Sequence, residues 1–234
     1  MPALVFTMLA APAPAPAPAR LADADGVMGL FWQSADVFTG VILVCSIISV
    51  AIIIRAFIQI RDRNVLPESS VRELRERVRA ADAAPLRDFV EKDDSFASRV
   101  IRAGLRQSHT GRTGAREAAE LTASEECAAW FRKIELLNVI GHLGPLLGLV
   151  GTVYGMIIAF AALGVTGGQA GPGELSLGIA KALFHTFFGL LLAIPSLMAY
   201  GYFRTVVDRI CTRAMVVSSE LFESIPSSAF TERE

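Results

Sequence analysis

Charge is scarce in this chain, and what there is avoids three long stretches. Only 19% of the 234 residues are charged while 53% are hydrophobic, and the mean hydropathy is +0.47, which argues against a soluble globule and for a membrane protein. Cysteine is equally sparse. Cys45, Cys127 and Cys211 are far apart, odd in number and without metal-ligand spacing, so they support neither a disulfide framework nor a zinc site and read as packing residues. No basic excess exists to draw the chain to nucleic acid, with 22 Lys+Arg set against 23 Asp+Glu. A phosphate-cradling loop is also missing, because the glycines of GVTGGQAGPGE are not followed by a Lys-Ser/Thr pair. With no nucleophile, metal cluster or cofactor loop in view, neither an enzyme nor a bound cofactor is expected.

The charge-free stretches define three spans. Val37 to Ile54 holds 18 uncharged residues, about 27 Å of helix against a hydrocarbon core of about 30 Å. Leu136 to Gly173 lacks Asp, Glu, Lys and Arg, and its helix is expected to end near Leu163, before a run of glycines and Pro172. The third span is free of such charge from Ala182 to Phe203, with its helix starting near Leu175. Residues 55–135 carry 16 of the 22 basic residues and the tail after the third span carries four, so both are expected in the cytoplasm. The 14 acidic residues in 55–135 do not alter this, since acidic residues contribute little to orientation. The expected topology is therefore N-terminus outside and C-terminus inside.

The fold class is an all-α membrane protein. Its expected parts are an external amino-terminal tail (1–35), a first transmembrane helix (36–60) and a cytoplasmic helical segment (61–114). A long helix with the second span (115–164), an external loop (165–174), a long helix with the third span (175–225) and a cytoplasmic tail (226–234) follow. The apolar start and Ala-Pro repeat of residues 1–19 suit either a cleaved signal peptide or an extended external tail. In the charge-rich segment, Val71, Leu74 and Val78 have helical spacing. Two further stripes cross the membrane boundary: Ala123, Cys127, Trp130, Ile134 and Leu137 before the second span, and Ile210, Ala214, Val217 and Leu221 after the third. These predict two long helices that pair below the membrane.

Within the spans, small residues form stripes. Gly148, Thr152, Gly155 and Ala159 share one face of the second span, and Ala182, Thr186, Gly189, Ala193 and Ser196 share one face of the third. Pro145 and Pro195 remove helical donors from the carbonyls of Gly141 and Leu191 and so shape their helices. The threonines either hydrogen-bond within their own helix or line a narrow polar passage. Counting 11 residues from Leu163 back to Thr152, and from Leu175 on to Thr186, puts both about 16 Å from the outer helix ends, near mid-membrane. No Asp or Glu occupies the central part of any span, so a carboxylate for a moving ion is expected from another polypeptide packed on the small-residue faces.

The segments GPLLGLVGTVYGMIIAF and GIAKALFHTFFGLLLAIPSLMAY together resemble the paired signature of the ExbB/TolQ/MotA proton-channel family, nearest its ExbB and TolQ branch. The resemblance implies a homopentamer in a bacterial inner membrane, around the single spans of an ExbD- or TolR-like dimer whose membrane aspartate carries the ion. The ion would be a proton, with sodium left open. Work would pass to a TonB- or TolA-like protein. It also implies that Thr152 and Thr186 correspond to the family's channel threonines and Pro195 to its Ala-Ile-Pro element. One position departs from the pattern: Lys181 stands where the family usually has an acidic residue, and His185 lies one turn further on the same face. Lys181 either snorkels to water or pairs with a carboxylate of a partner or adjacent subunit, with His185 tuning the region. A non-conducting membrane scaffold and a stator of another motility system are the competing functions.

Overall fold

A computed structural model describes residues 36–80, 83–165, 172–226 and 229–230. The amino-terminal tail with its signal-peptide question, most of the loop between the second and third spans, and the last residues of the tail lie outside the described residues. Every regular element among the described residues is helical. Helix α1 is Val37–Gln59, followed by the single turn α2 (Asp62–Val65), then α3 (Glu68–Arg79), α4 (Ala83–Lys92) and α5 (Phe96–Arg106). A 3-10 turn, Ser108–Thr110, leads into α6 (Gly111–Val165), and α7 is Pro172–Glu223. Gly111 joins the 3-10 turn to α6 at φ 78°, a left-handed conformation that a side chain would strain.

The two long helices dominate the architecture. With 55 residues in α6 and 52 in α7, each runs about 80 Å, far more than a bilayer needs. Both pass through their prolines, Pro145 and Pro195, as single helices. They lie antiparallel, and at the basic end α3, α4 and α5 pack against them around one apolar core. Leu74, Leu86, Val90, Phe96 and Ile101 fill that core from the short helices, while Ala115, Ala119 and Ala123 give α6 a thin face on which α5 can sit. Leu74 and Val78 are buried and Val71 half-buried, and the stripes that cross the membrane boundary turn inward, with only Trp130 and Val217 half-buried. Cys127 and Cys211 are buried with their thiols in hydrogen-bond contact across the α6–α7 seam. That contact and burial push the Cys211 thiol up, so it stays protonated and inert.

Three helices, α1 and the loop-side parts of α6 and α7, are long and apolar enough to cross a membrane. Only 17–28% of their most apolar windows is buried within the chain, so the rest of that surface requires lipid or other polypeptides. Together these features make the chain an all-α, multi-pass membrane protein.

Candidate ion pathway at the helix seam

The seam between α6 and α7 is built from backbone approaching backbone. A methyl group placed on Gly148 would lie 2.8 Å from the His185 carbonyl oxygen and 2.9 Å from Thr186 Cα. On Gly144 it would meet the Gly189 carbonyl at 2.7 Å, and on Gly155 the Ala182 Cβ at 3.0 Å. Gly189 faces the Gly144 carbonyl and Gly148 in turn, Ala193 closes on Gly144, and Ala159 touches Gly178. Sequence reasoning assigned Gly148, Gly155, Ala159, Ala182, Gly189 and Ala193 to packing around a separate partner. In the structure these faces are filled by each other within one chain, because two glycine-rich stripes on antiparallel neighbours lose least by meeting directly.

The two threonines lie on this seam. Thr152 is buried and its hydroxyl donates to the Leu149 carbonyl of its own helix at 2.6 Å. Thr186 is half-buried and donates across the seam to the Gly148 carbonyl at 3.3 Å. One hydroxyl is thus used locally and the other ties α7 to α6.

Helix α1 sets the depth of this region. It runs parallel to α7, with Asp36 beside His185, Ser49 beside Ser196 and Phe57 beside Phe203. The Ser49 and Ser196 oxygens are 2.7 Å apart and buried. Since Ser196 donates its one proton to the Leu192 carbonyl, Ser49 is the donor between them. With 23 residues, about 34 Å, α1 matches a hydrocarbon core of about 30 Å, and its first turn lies level with His185. Counted from the charged belt of Glu135 and Arg204, the threonines stand about 26 Å up their helices. They therefore lie on the loop side of the middle of the slab that α1 spans. Counting from the loop ends placed them centrally because α6 and α7 continue past the end of α1.

Sequence reasoning missed the residue that caps α1. Asp36 accepts a hydrogen bond from the Thr39 amide at 3.0 Å and another from its hydroxyl at 3.3 Å. The same Oδ1 lies 2.9 Å from His185 Nε2. An ionised carboxylate only accepts, so Nε2 carries the proton of this bond. His185 is 2% exposed, and among the described residues its Nδ1 has no hydrogen-bond partner. Phe38 stands edge-on to the ring at 6.4 Å. A cleft of about 270 Å³ opens beside the pair, lined by Asp36, Tyr154, Ala159, Leu177, Lys181 and His185. Lys181 is half-buried in this wall, and among the described residues it has no carboxylate within ion-pair distance. In the sequence Asp36 merely ends the uncharged window at Val37, and its partner is 149 residues away.

Comparison with known proteins places this arrangement. The family model described as the MotA/TolQ/ExbB proton channel family matches residues 92–215, which take in most of both long helices and the whole seam. An ExbB-like biopolymer transport protein of Synechocystis sp. is 34% identical over 143 residues, 60% of this chain and 56% of the relative. A biopolymer transport protein of Vibrio cholerae, exbB1, is 28% identical over 174 residues, 72% of this chain and 75% of the relative. The Tol-Pal system protein TolQ of Pseudomonas aeruginosa is 29% identical over 143 residues, 56% of this chain and 61% of the relative. The chain thus spans between about half and three quarters of the length of these relatives. A family match over more than half of the chain, on the helices that build the seam, makes this protein a member of the MotA/TolQ/ExbB proton channel family.

Proposed function

We propose that the chain is the channel-forming subunit of an inner-membrane assembly that uses the proton motive force to energise biopolymer transport or a Tol-Pal-type envelope process. In this reading it forms a homopentamer, N-terminus outside and C-terminus in the cytoplasm, around an ExbD- or TolR-like single-span dimer that brings a membrane carboxylate. Work then passes to a TonB- or TolA-like protein. The observation that carries the reading is the glycine-lined α6–α7 seam, with Thr152 and Thr186 on it inside the family-matched region. The exposed apolar faces of α6 and α7 leave surface for such an assembly, since they require lipid or other polypeptides around them.

The test is the native mass of the complex purified with a carboxylate-bearing single-span partner, followed by ion flux in proteoliposomes. Five copies holding two partner chains and passing ions is the expected result. A second reading, a non-conducting scaffold, is favoured by one observation: both threonine hydroxyls are already committed to carbonyls. Thr152→Val and Thr186→Val separate the two. A channel loses flux with assembly intact, whereas a scaffold has no flux to lose.

A further inference from the structure

Helix packing alone does not account for the Asp36–His185 pair. An ionisable ring in a membrane-spanning segment is costly, and such groups mark ion pathways and proton relays. Here the ring is shut off from solvent, one nitrogen is held by a carboxylate at 2.9 Å, and the other is an unpartnered polar atom in the interior. Asp36 itself is 36% exposed at the cleft, so the pair joins a wet surface to a dry seam. Every packed element contributes titratable groups to the cleft: Asp36 before α1, Tyr154 from α6, and both Lys181 and His185 from α7, one turn apart. Gly151 lies directly under the ring, where a methyl group would meet His185 Cγ at 2.7 Å, so the space for an imidazole is made by a glycine.

We propose that His185, held by Asp36, is a proton-carrying residue of the pathway and makes it selective for protons over sodium. This rests on the function proposed above, in which the assembly passes an ion. In the neutral ring Nε2–H donates to Asp36 and the lone pair is on Nδ1. The ring swings toward the cleft, Nδ1 takes a proton from a hydronium ion there and releases water, and the imidazolium so formed sits against the Asp36 carboxylate. A carboxylate base brought by the partner then takes that proton from Nδ1 and restores the neutral ring. Loading breaks one hydronium O–H bond and forms the Nδ1–H bond, and unloading breaks that N–H bond and forms an O–H bond on the partner's carboxylate. Sodium has no equivalent step, because hard cations take oxygen ligands rather than an imidazole nitrogen.

The experiment reconstitutes the full chain with a carboxylate-bearing single-span partner in proteoliposomes and follows proton flux with an internal pH dye and sodium flux with radiolabel. For the unmodified complex, proton flux without sodium flux is expected. His185→Gln keeps a donor for Asp36 but cannot take up a proton. Proton flux should fall about tenfold or more, with the native mass of the complex unchanged. Asp36→Asn, which spares the ring but removes its counter-charge, should also lower flux in an intact complex. Sodium carried by the unmodified complex overturns the inference without recourse to any variant. Proton flux through His185→Gln equal to that of the parent overturns it and leaves the proposed function standing. A complex that passes neither ion overturns both.

Discussion

At the residue scale the seam tolerates no added atoms where backbone faces backbone. A side chain on Gly189 points at the Gly144 carbonyl and Gly148 Cα, neither of which can swing aside. Gly189→Val should therefore destabilise the chain by about 3 kcal/mol in detergent thermal unfolding. Gly40 and Gly201 also lie inside helices, but nothing lies within 4 Å of a methyl group there. Gly40→Ala or Gly201→Ala should be neutral or gain about 0.5–1 kcal/mol. A second residue-scale prediction concerns Asp93, outside the spans. Burial works to raise its proton affinity, but hydrogen bonds from Ser95, Ser98 and Ser70 outweigh this and hold the carboxyl below its usual range. A depressed carboxyl stabilises the fold above its unfolded value and loses that contribution as pH falls through its folded one. Discounted for solvent screening at this half-buried site, about 1 kcal/mol should be present above about pH 5 and fade below about pH 4. Denaturant titrations across that range should show a smaller loss in Asp93→Asn than in the parent.

At the element scale, α1 is held to α7 by a polar contact at Ser49–Ser196 with apolar packing around it. A double-mutant cycle of Ser49→Ala and Ser196→Ala, read by chemical unfolding in micelles, should give a coupling of about 0.6 kcal/mol, the usual size for hydrogen bonds between membrane helices. The long helices are legible in the sequence itself, because stripes such as Ile134–Leu137 and Ile210–Ala214 continue the helical period across the membrane boundary without Pro or Gly. The glycine stripes are legible too, but not which surface they face. Periodicity marks a face on one helix, whereas its partner depends on which helix is adjacent, and for α6 that is α7 of the same chain. The Asp36–His185 pair is hidden for a related reason. A carboxylate just outside a span is ordinary, and only the register of α1 against α7 makes it the neighbour of a buried imidazole.

At the scale of the whole molecule, α1 is shorter than the pair it leans on, and this decides the depth of everything on the seam. The register makes a direct prediction. Ser49→Cys combined with Ser196→Cys should form a disulfide under mild oxidation, since the parent oxygens are 2.7 Å apart and buried. The bond should lie within one chain, so a denaturing gel shows a shifted monomer and not a dimer. A dimer band would mean that α1 leans on a neighbouring subunit.

The spacing of these contacts along the chain also bears on biogenesis. Ser196 is made 147 residues after Ser49, and His185 follows Asp36 by 149. At about 5–20 residues per second, the first helix waits roughly ten seconds or more for the surfaces it will hold. With a mean hydropathy of 2.9 over its best window, it is apolar enough to wait in lipid alone. Its carboxylate and its hydroxyl meet their partners only when the last helix arrives, so the pair that loads a proton also marks a chain whose insertion is complete.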